Sequence, residues 1–284
     1  MLHRSTLQLL RFHFSFFLMP VYWFALSQVD EIKISSAIIV FIILHLLVYP
    51  ASNGYNSYMD RDETSIGGLK KPSQPTKQLF YFTVLMDAIA LLLSFFVSVY
   101  FAVGIFTYIL TSRAYSYRGI RLKKYPIIGY LTVIIFQGAM IFFLVYHGCS
   151  ANKTLHVPVL CLLASLLLIG GFYPLTQIYQ HDADVKDNVK TISYLLGYRG
   201  TFIFCAIVYC AAFATLAFYF FNTMHKKEFF VFATVMFPVI VYFLQWAIKV
   251  WKNNNEANFS NTMRMNIIAS LFTNIGFIVV LLIK

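Results

Sequence analysis

Two short segments carry a high density of polar side chains directly after long apolar runs. The first is SNGYNSYMDRDE, residues 52–63, and the second is TQIYQHDADVKD, residues 176–187. The matched pairs, each 124 positions apart, are Asn53 with Gln177, Tyr55 with Tyr179, Asn56 with Gln180, Asp60 with Asp184, and Glu63 with Asp187. This agreement predicts an internal repeat of one kind of helix-end site.

The chemistry of the two segments follows from their residue types and spacing. Within each copy the polar residues step by three, four and three positions, which on a helix places them on one face. Crowded carboxylates repel one another unless a cation lies between them. Amide and carboxylate oxygens favour Mg²⁺, which binds phosphates jointly with a few carboxylates. Two such stripes facing one cavity predict a Mg²⁺–diphosphate site, whereas either stripe alone is also compatible with solvated loop charge.

A third segment, TSRAYSYRGIRLKKYPIIG at 111–129, interleaves five basic residues with three tyrosines. Arginine and lysine stabilise the charge that develops on a departing diphosphate, and tyrosine faces stabilise a nearby carbocation. Taken alone, the segment is more typical of an ordinary cytoplasmic positive belt with interfacial tyrosines. Lys70 and Lys190 flank the acidic segments and are candidates for contacting phosphate or lipid headgroups.

The composition indicates that lipid surrounds most of the chain. Of 284 residues, 60% are hydrophobic and only 12% are charged, against about 25% charged in soluble domains. Thirty Phe and 19 Tyr are typical of a helical membrane protein with aromatic interfaces. The net charge of +11 is explained by cytoplasmic loops and anionic lipid, so we expect a lipid bilayer and no nucleic acid as partner.

The apolar runs predict an all-α polytopic membrane protein, one integral-membrane domain over residues 1–284. We expect about nine transmembrane helices, near residues 8–28, 36–57, 79–98, 100–117, 125–147, 157–178, 200–221, 228–248 and 264–283. A cytoplasmic N-terminus places 17 of the 22 Lys and Arg residues on the cytoplasmic side. The sequence therefore predicts a multi-pass protein of the cell (inner) membrane, with both acidic segments facing the cytoplasm.

These features together resemble the UbiA-type membrane prenyltransferase superfamily, as a divergent subgroup. The resemblance covers nine spans, acidic motifs after the second and sixth, and YSYRGIRLKKYPIIG in place of a Tyr/Lys-rich segment. The first family motif is matched by Asn56 and Asp60, with Thr64 in place of its last Asp. In the second, Gln180 replaces the first Asp and Asp184 matches the next.

The resemblance implies Mg²⁺-dependent transfer of a prenyl chain from an isoprenyl diphosphate to a hydrophobic acceptor, aromatic or lipid, within the membrane. It implies metal ligation by Asn56, Asp60, Glu63, Asp184 and Asp187. It implies substrate binding by Asn53, Asn56, Lys70, Arg113, Tyr117, Arg121, Lys123, Gln177, Gln180 and Lys190. It implies catalytic roles for Asp60, Asp184, Tyr115 and Arg118.

Two alternatives remain open at this point. A small secondary transporter would also carry helix-end charges and repeats, but its charged or unwound sites would lie near the bilayer midplane. Asp87, inside the third predicted span, is the main residue that fits this interpretation. A catalytically silent lipid-binding relative is the second alternative, because each motif lacks one aspartate of the family pattern.

Overall fold

The computed structural model describes residues 3–284, and over that range it consists of helices and connecting loops, with isolated β-bridges but no strand. This confirms the all-α prediction. The helices in chain order are α1 Arg4–Phe17, α2 Met19–Gln28, α3 Ile34–Asp60, α4 Lys77–Ser94, α5 Val99–Ser116, α6 Pro126–Cys149, α7 Val159–Gln177, α8 His181–Lys186, α9 Ile192–Asn222, α10 Lys226–Val235, α11 Phe237–Lys252 and α12 Phe259–Ile283.

Six of these helices are long and apolar enough to cross a membrane, and the number rises to eight if α1–α2 and α10–α11 each form one span. Both pairs bend by 41°, and each bend coincides with a proline, Pro20 or Pro238, at the start of the second helix. The remaining predicted span, 100–117, coincides with α5, an 18-residue helix outside that set. The chain is a multi-pass membrane protein, and the count of nine stays a prediction.

Two helices contain π-helical segments, Ile42–Val48 in α3 and Ile134–Met140 in α6. Such segments are rare and often lie beside functional sites. The second one packs closely on α7, because a Cβ atom at Gly138 would lie only 2.8 Å from the Cα atom of Leu166. The glycine therefore lets the two backbones approach one another beside the cavity described below.

Helix α5 is fixed against α3 by two polar contacts near its C-terminal end. The hydroxyl groups of Ser52 and Ser112 lie 2.6 Å apart, and the Asn56 side-chain amide donates to the Ser116 hydroxyl at 3.0 Å. These contacts bring the end of the first polar stripe against the helix that leads into the basic segment.

An ion pair between Asp87 and Arg113 joins α4 to α5 inside the spanning region. The Arg113 Nε donates to the Asp87 carboxylate at 2.9 Å, and the guanidinium lies 4.0 Å from the centre of the Tyr55 ring. The Asp87 side chain is 14% exposed, and the Arg113 side chain is 18% exposed. Arg113, expected to bind substrate, is thus engaged in a helix–helix contact, which also accounts for the intramembrane carboxylate of Asp87.

We predict that Asp87→Ala lowers the free energy of unfolding by about 3 kcal/mol, because it leaves Arg113 as an uncompensated buried charge. Thermal denaturation in detergent measures the change. The double variant Asp87→Ala/Arg113→Ala should recover part of the loss. Asp30→Ala is the matched control, since the 94% exposed Asp30 side chain forms a surface pair with Lys284. Equal losses from Asp87→Ala and Asp30→Ala would contradict the assignment.

Candidate active site

A cavity of about 220 Å³ lies where the last turns of α3 and α7 meet the basic segment. Helices α1, α3, α5, α6, α7 and α8 all contribute to its wall. The residues of the two matched polar stripes that line it are Asn53, Asn56 and Asp60 from the first, and Gln177, Gln180, Asp184 and Asp187 from the second. The structure therefore brings the two sequence segments to one place.

The two acidic segments are joined by Arg121. Its guanidinium lies 3.5 Å from the Asp60 carboxylate, forms an ion pair with the Asp187 side chain, and donates to the Asp187 carbonyl oxygen at 3.0 Å. Lys123 forms a second ion pair with Asp60, whose side chain is only 5% exposed. Burial raises the pKa of Asp187, but Arg121 and Arg118 outweigh it and hold the pKa below the usual value.

Asp62 and Asp184 differ from these paired acids. Both line the cavity, yet neither forms a salt bridge within residues 3–284. Burial, reinforced by the neighbouring charge of Asp60, raises the pKa of Asp62 to about 6. Burial likewise raises the pKa of Asp184 to about 7. A cation between them would favour their charged forms, so this wall of the cavity is suited to one.

The donor set fits Mg²⁺ shared with a ligand rather than a cage built from protein alone. Over the described part of the chain, no three His, Cys, Asp or Glu side chains lie close enough to enclose a metal ion. Mg²⁺ commonly binds one or two carboxylates together with substrate phosphates and water. Asp62 and Asp184 have the free carboxylates for this role, while Asp60 and Asp187 are already paired with basic side chains.

Glu63 is exposed and does not line the cavity, although the helical spacing predicted it as a metal ligand. The reason is local. Helix α3 ends at Asp60, and Arg61 adopts a left-handed conformation with φ 54° and ψ 44°. The helical stripe does not continue past that point, and the cavity wall is formed by Asp62 instead.

Of the basic and aromatic candidates, Lys123 and Tyr115 line the cavity. The Tyr115 hydroxyl is hydrogen-bonded to that of Tyr173, which also lines the cavity and was missed from the sequence. Arg118 is half-exposed; it donates to the carbonyl oxygen of Met59 at 2.8 Å and to that of Asp60 at 3.3 Å. The candidates outside the lining are Lys70, Arg113, Tyr117, Arg118, Arg121 and Lys190.

Arg11 of α1 is a further cavity residue that sequence reasoning missed. It is buried, and its guanidinium donates to the carbonyl oxygens of Gly67 and Asn53, both at 3.2 Å. Its Nε has no hydrogen-bond partner among the described residues. An arginine inside the first apolar run is itself a signal of function, and it adds a second basic side chain, besides Lys123, to the cavity lining.

The sequence model of the UbiA prenyltransferase family matches residues 16–268. The chain belongs to the UbiA prenyltransferase family. No curated protein shows a significant sequence match.

Solved structures of UbiA homologues share the fold. A homologue from Archaeoglobus fulgidus bound to GPP and Mg²⁺ is 19% identical, with a TM-score of 0.71 over 97% of this chain and 99% of that one. The apo homologue from Aeropyrum pernix K1 is 16% identical, with a TM-score of 0.72 over 95% and 98% of the two chains. A digeranylgeranylglyceryl phosphate synthase is 17% identical, with a TM-score of 0.64 over 98% and 97%.

We predict that Asp62→Asn weakens Mg²⁺ binding in the presence of inorganic diphosphate by about tenfold or more, because it removes a carboxylate from the cavity wall. Titration calorimetry of the purified protein measures this. Glu63→Gln is the matched control, being the next residue but exposed, and it should bind Mg²⁺ like the parent. If Glu63→Gln bound Mg²⁺ more weakly while Asp62→Asn bound it like the parent, the metal ligand would be Glu63 and not Asp62.

Proposed function

We propose that this protein catalyses Mg²⁺-dependent transfer of a prenyl chain from an isoprenyl diphosphate to a hydrophobic acceptor within the membrane. The observation that carries the proposal is that Asp62 and Asp184, two carboxylates without a salt-bridge partner among the described residues, line one cavity together with Lys123 and Arg11. Family membership and the A. fulgidus homologues bound to GPP or DMAPP with Mg²⁺ support it.

The diphosphate would bind between acidic and basic walls of the cavity. Asp62 and Asp184 would hold Mg²⁺, and Lys123 and Arg11 would contact phosphate oxygens directly. The bound metal would supply positive charge that neutralises the diphosphate. Arg121 keeps Asp60 and Asp187 in place and so acts as a positioning residue. The side-chain amide of Asn53 has no hydrogen-bond partner among the described residues and is available as a donor.

The reaction would break the C–O bond between the prenyl chain and the diphosphate. Positive charge from Lys123 stabilises the negative charge that develops on the leaving oxygen. The allylic cation forms beside Tyr115 and Tyr173, whose ring faces can stabilise it. The acceptor then forms the new bond to the prenyl carbon and loses a proton, and diphosphate leaves.

The transporter interpretation loses its main support in this arrangement. Asp87, the intramembrane carboxylate that favoured it, is occupied by Arg113. The unpaired acids instead lie at helix ends beside a basic loop. That side of the protein also carries the exposed or half-exposed basic residues Arg61, Lys70, Lys71, Arg118, Lys124, Lys186 and Lys190, which supports a cytoplasmic orientation of the site in the cell (inner) membrane.

We predict that the purified protein in nanodiscs releases diphosphate from isoprenyl diphosphates when Mg²⁺ and a membrane-lipid extract are supplied. Asp60→Asn and Asp184→Asn should each reduce the rate by about 100-fold or more, because they disturb charges placed around the leaving group. Asp182→Asn is the matched control, since Asp182 belongs to the same acidic segment but is exposed and outside the cavity. Release that is insensitive to Mg²⁺, or absent for every donor, would refute the proposal.

A further inference from the structure

We infer that Tyr108 closes the deep end of the cavity and restricts the donor to a short isoprenyl chain, geranyl rather than geranylgeranyl; this inference rests on the proposed function. Helix α5 lines the cavity with one face, made of Tyr108, Thr111, Ser112, Tyr115 and Ser116. Ser116 lies at the mouth, and Tyr108 is eight residues deeper, about 12 Å along the helix axis.

Tyr108 is the deepest cavity residue on α5, and Gln137 is the deepest one on α6. Helix α6 runs inward from Pro126 and lines the cavity with Thr132, Val133, Phe136 and Gln137. Tyr108 and Gln137 both line the deep end of the cavity. Helix α5 therefore meets the π-helical segment of α6 at the cavity floor.

The space behind Tyr108 is filled by a column of aromatic side chains. Tyr108 is only 3% exposed, and its ring centre lies 6.2 Å from that of Tyr49. Tyr49 packs on His45 at 5.1 Å, and His45 packs on Phe41 at 4.6 Å. Since Tyr49 and His45 are fully buried, a prenyl tail that continued along α5 toward Tyr49 would have to displace Tyr108.

The cavity volume agrees with a short tail. At about 220 Å³ it is smaller than the roughly 300–1,000 Å³ of pockets that enclose drug-sized ligands. Its mouth is polar and would be taken by the diphosphate. The part between Tyr115 and Tyr108 remains for the chain, with Thr132, Val133 and Phe136 as its side wall.

The test measures binding of non-hydrolysable thiolodiphosphate analogues of geranyl, farnesyl and geranylgeranyl chains, with Mg²⁺, by titration calorimetry in detergent. The parent should bind the geranyl analogue about tenfold or more tighter than the geranylgeranyl analogue, since surplus methylenes meet a closed wall. Tyr108→Ala should abolish or reverse that preference. Tyr108→Phe keeps the ring and should keep the preference.

Phe101→Ala is the matched control, because Phe101 is a fully buried aromatic residue of the same helix outside the cavity; it should lose stability but keep the parent's chain-length preference. If Tyr108→Ala does not fold, Tyr108→Leu takes its place with the same expectation in smaller degree. A parent that binds all three chains equally, or a preference unchanged in Tyr108→Ala (or in Tyr108→Leu where it replaces the alanine variant), would overturn the inference alone. Failure of every analogue to bind would overturn the proposed function as well.

Discussion

The arrangement of the site depends on the guanidinium of Arg121 between Asp60 and Asp187. These acids belong to chain segments more than a hundred residues apart, and their carboxylates would repel one another at the membrane surface without a cation between them. Arg121 contacts both, and Lys123 completes the pairing of Asp60. Because these acids are neutralised by protein cations, the excess negative charge in the cavity falls on Asp62 and Asp184.

The surrounding helices restrict where that charge can lie. In a bundle whose outer surface is apolar, buried charged groups need partners: Asp87 inside the spanning region pairs with Arg113, and at the cavity wall Asp60 pairs with Lys123. Asp62 and Asp184 form no salt bridge among the described residues, and both line a cavity of about 220 Å³. Partly buried acids with a raised pKa in a cavity are characteristic of binding or catalytic sites.

The sequence was sufficient to predict the helical membrane fold and the meeting of the two polar stripes. Long apolar runs report helices directly, and the shared spacing of Asn53, Asn56 and Asp60 with Gln177, Gln180 and Asp184 is a regular pattern. The sequence was a poorer guide to which side chains would bind the metal ion. Glu63 was predicted because the helical period was extended past Asp60, whereas Arg61 ends the helix without the glycine that usually marks such an end.

Two other features could not be obtained from spacing. Arg113 pairs with Asp87 from a neighbouring helix, and no local pattern distinguishes that contact from one to a phosphate. Tyr108 reaches the cavity floor only because α5 and α6 converge there. In the sequence, a tyrosine inside an apolar run indicates no more than ordinary helix packing. Both depend on tertiary packing, which the linear pattern does not encode.

The most direct test is an experimental structure with Mn²⁺ in place of Mg²⁺ and a geranyl thiolodiphosphate, with metal positions located by anomalous scattering. We expect Mn²⁺ bound by Asp62 and Asp184, phosphate oxygens against Lys123 and Arg11, and Arg121 still joining Asp60 to Asp187. Metal bound at Glu63 or outside the cavity, or a diphosphate that does not contact Lys123, would contradict the account.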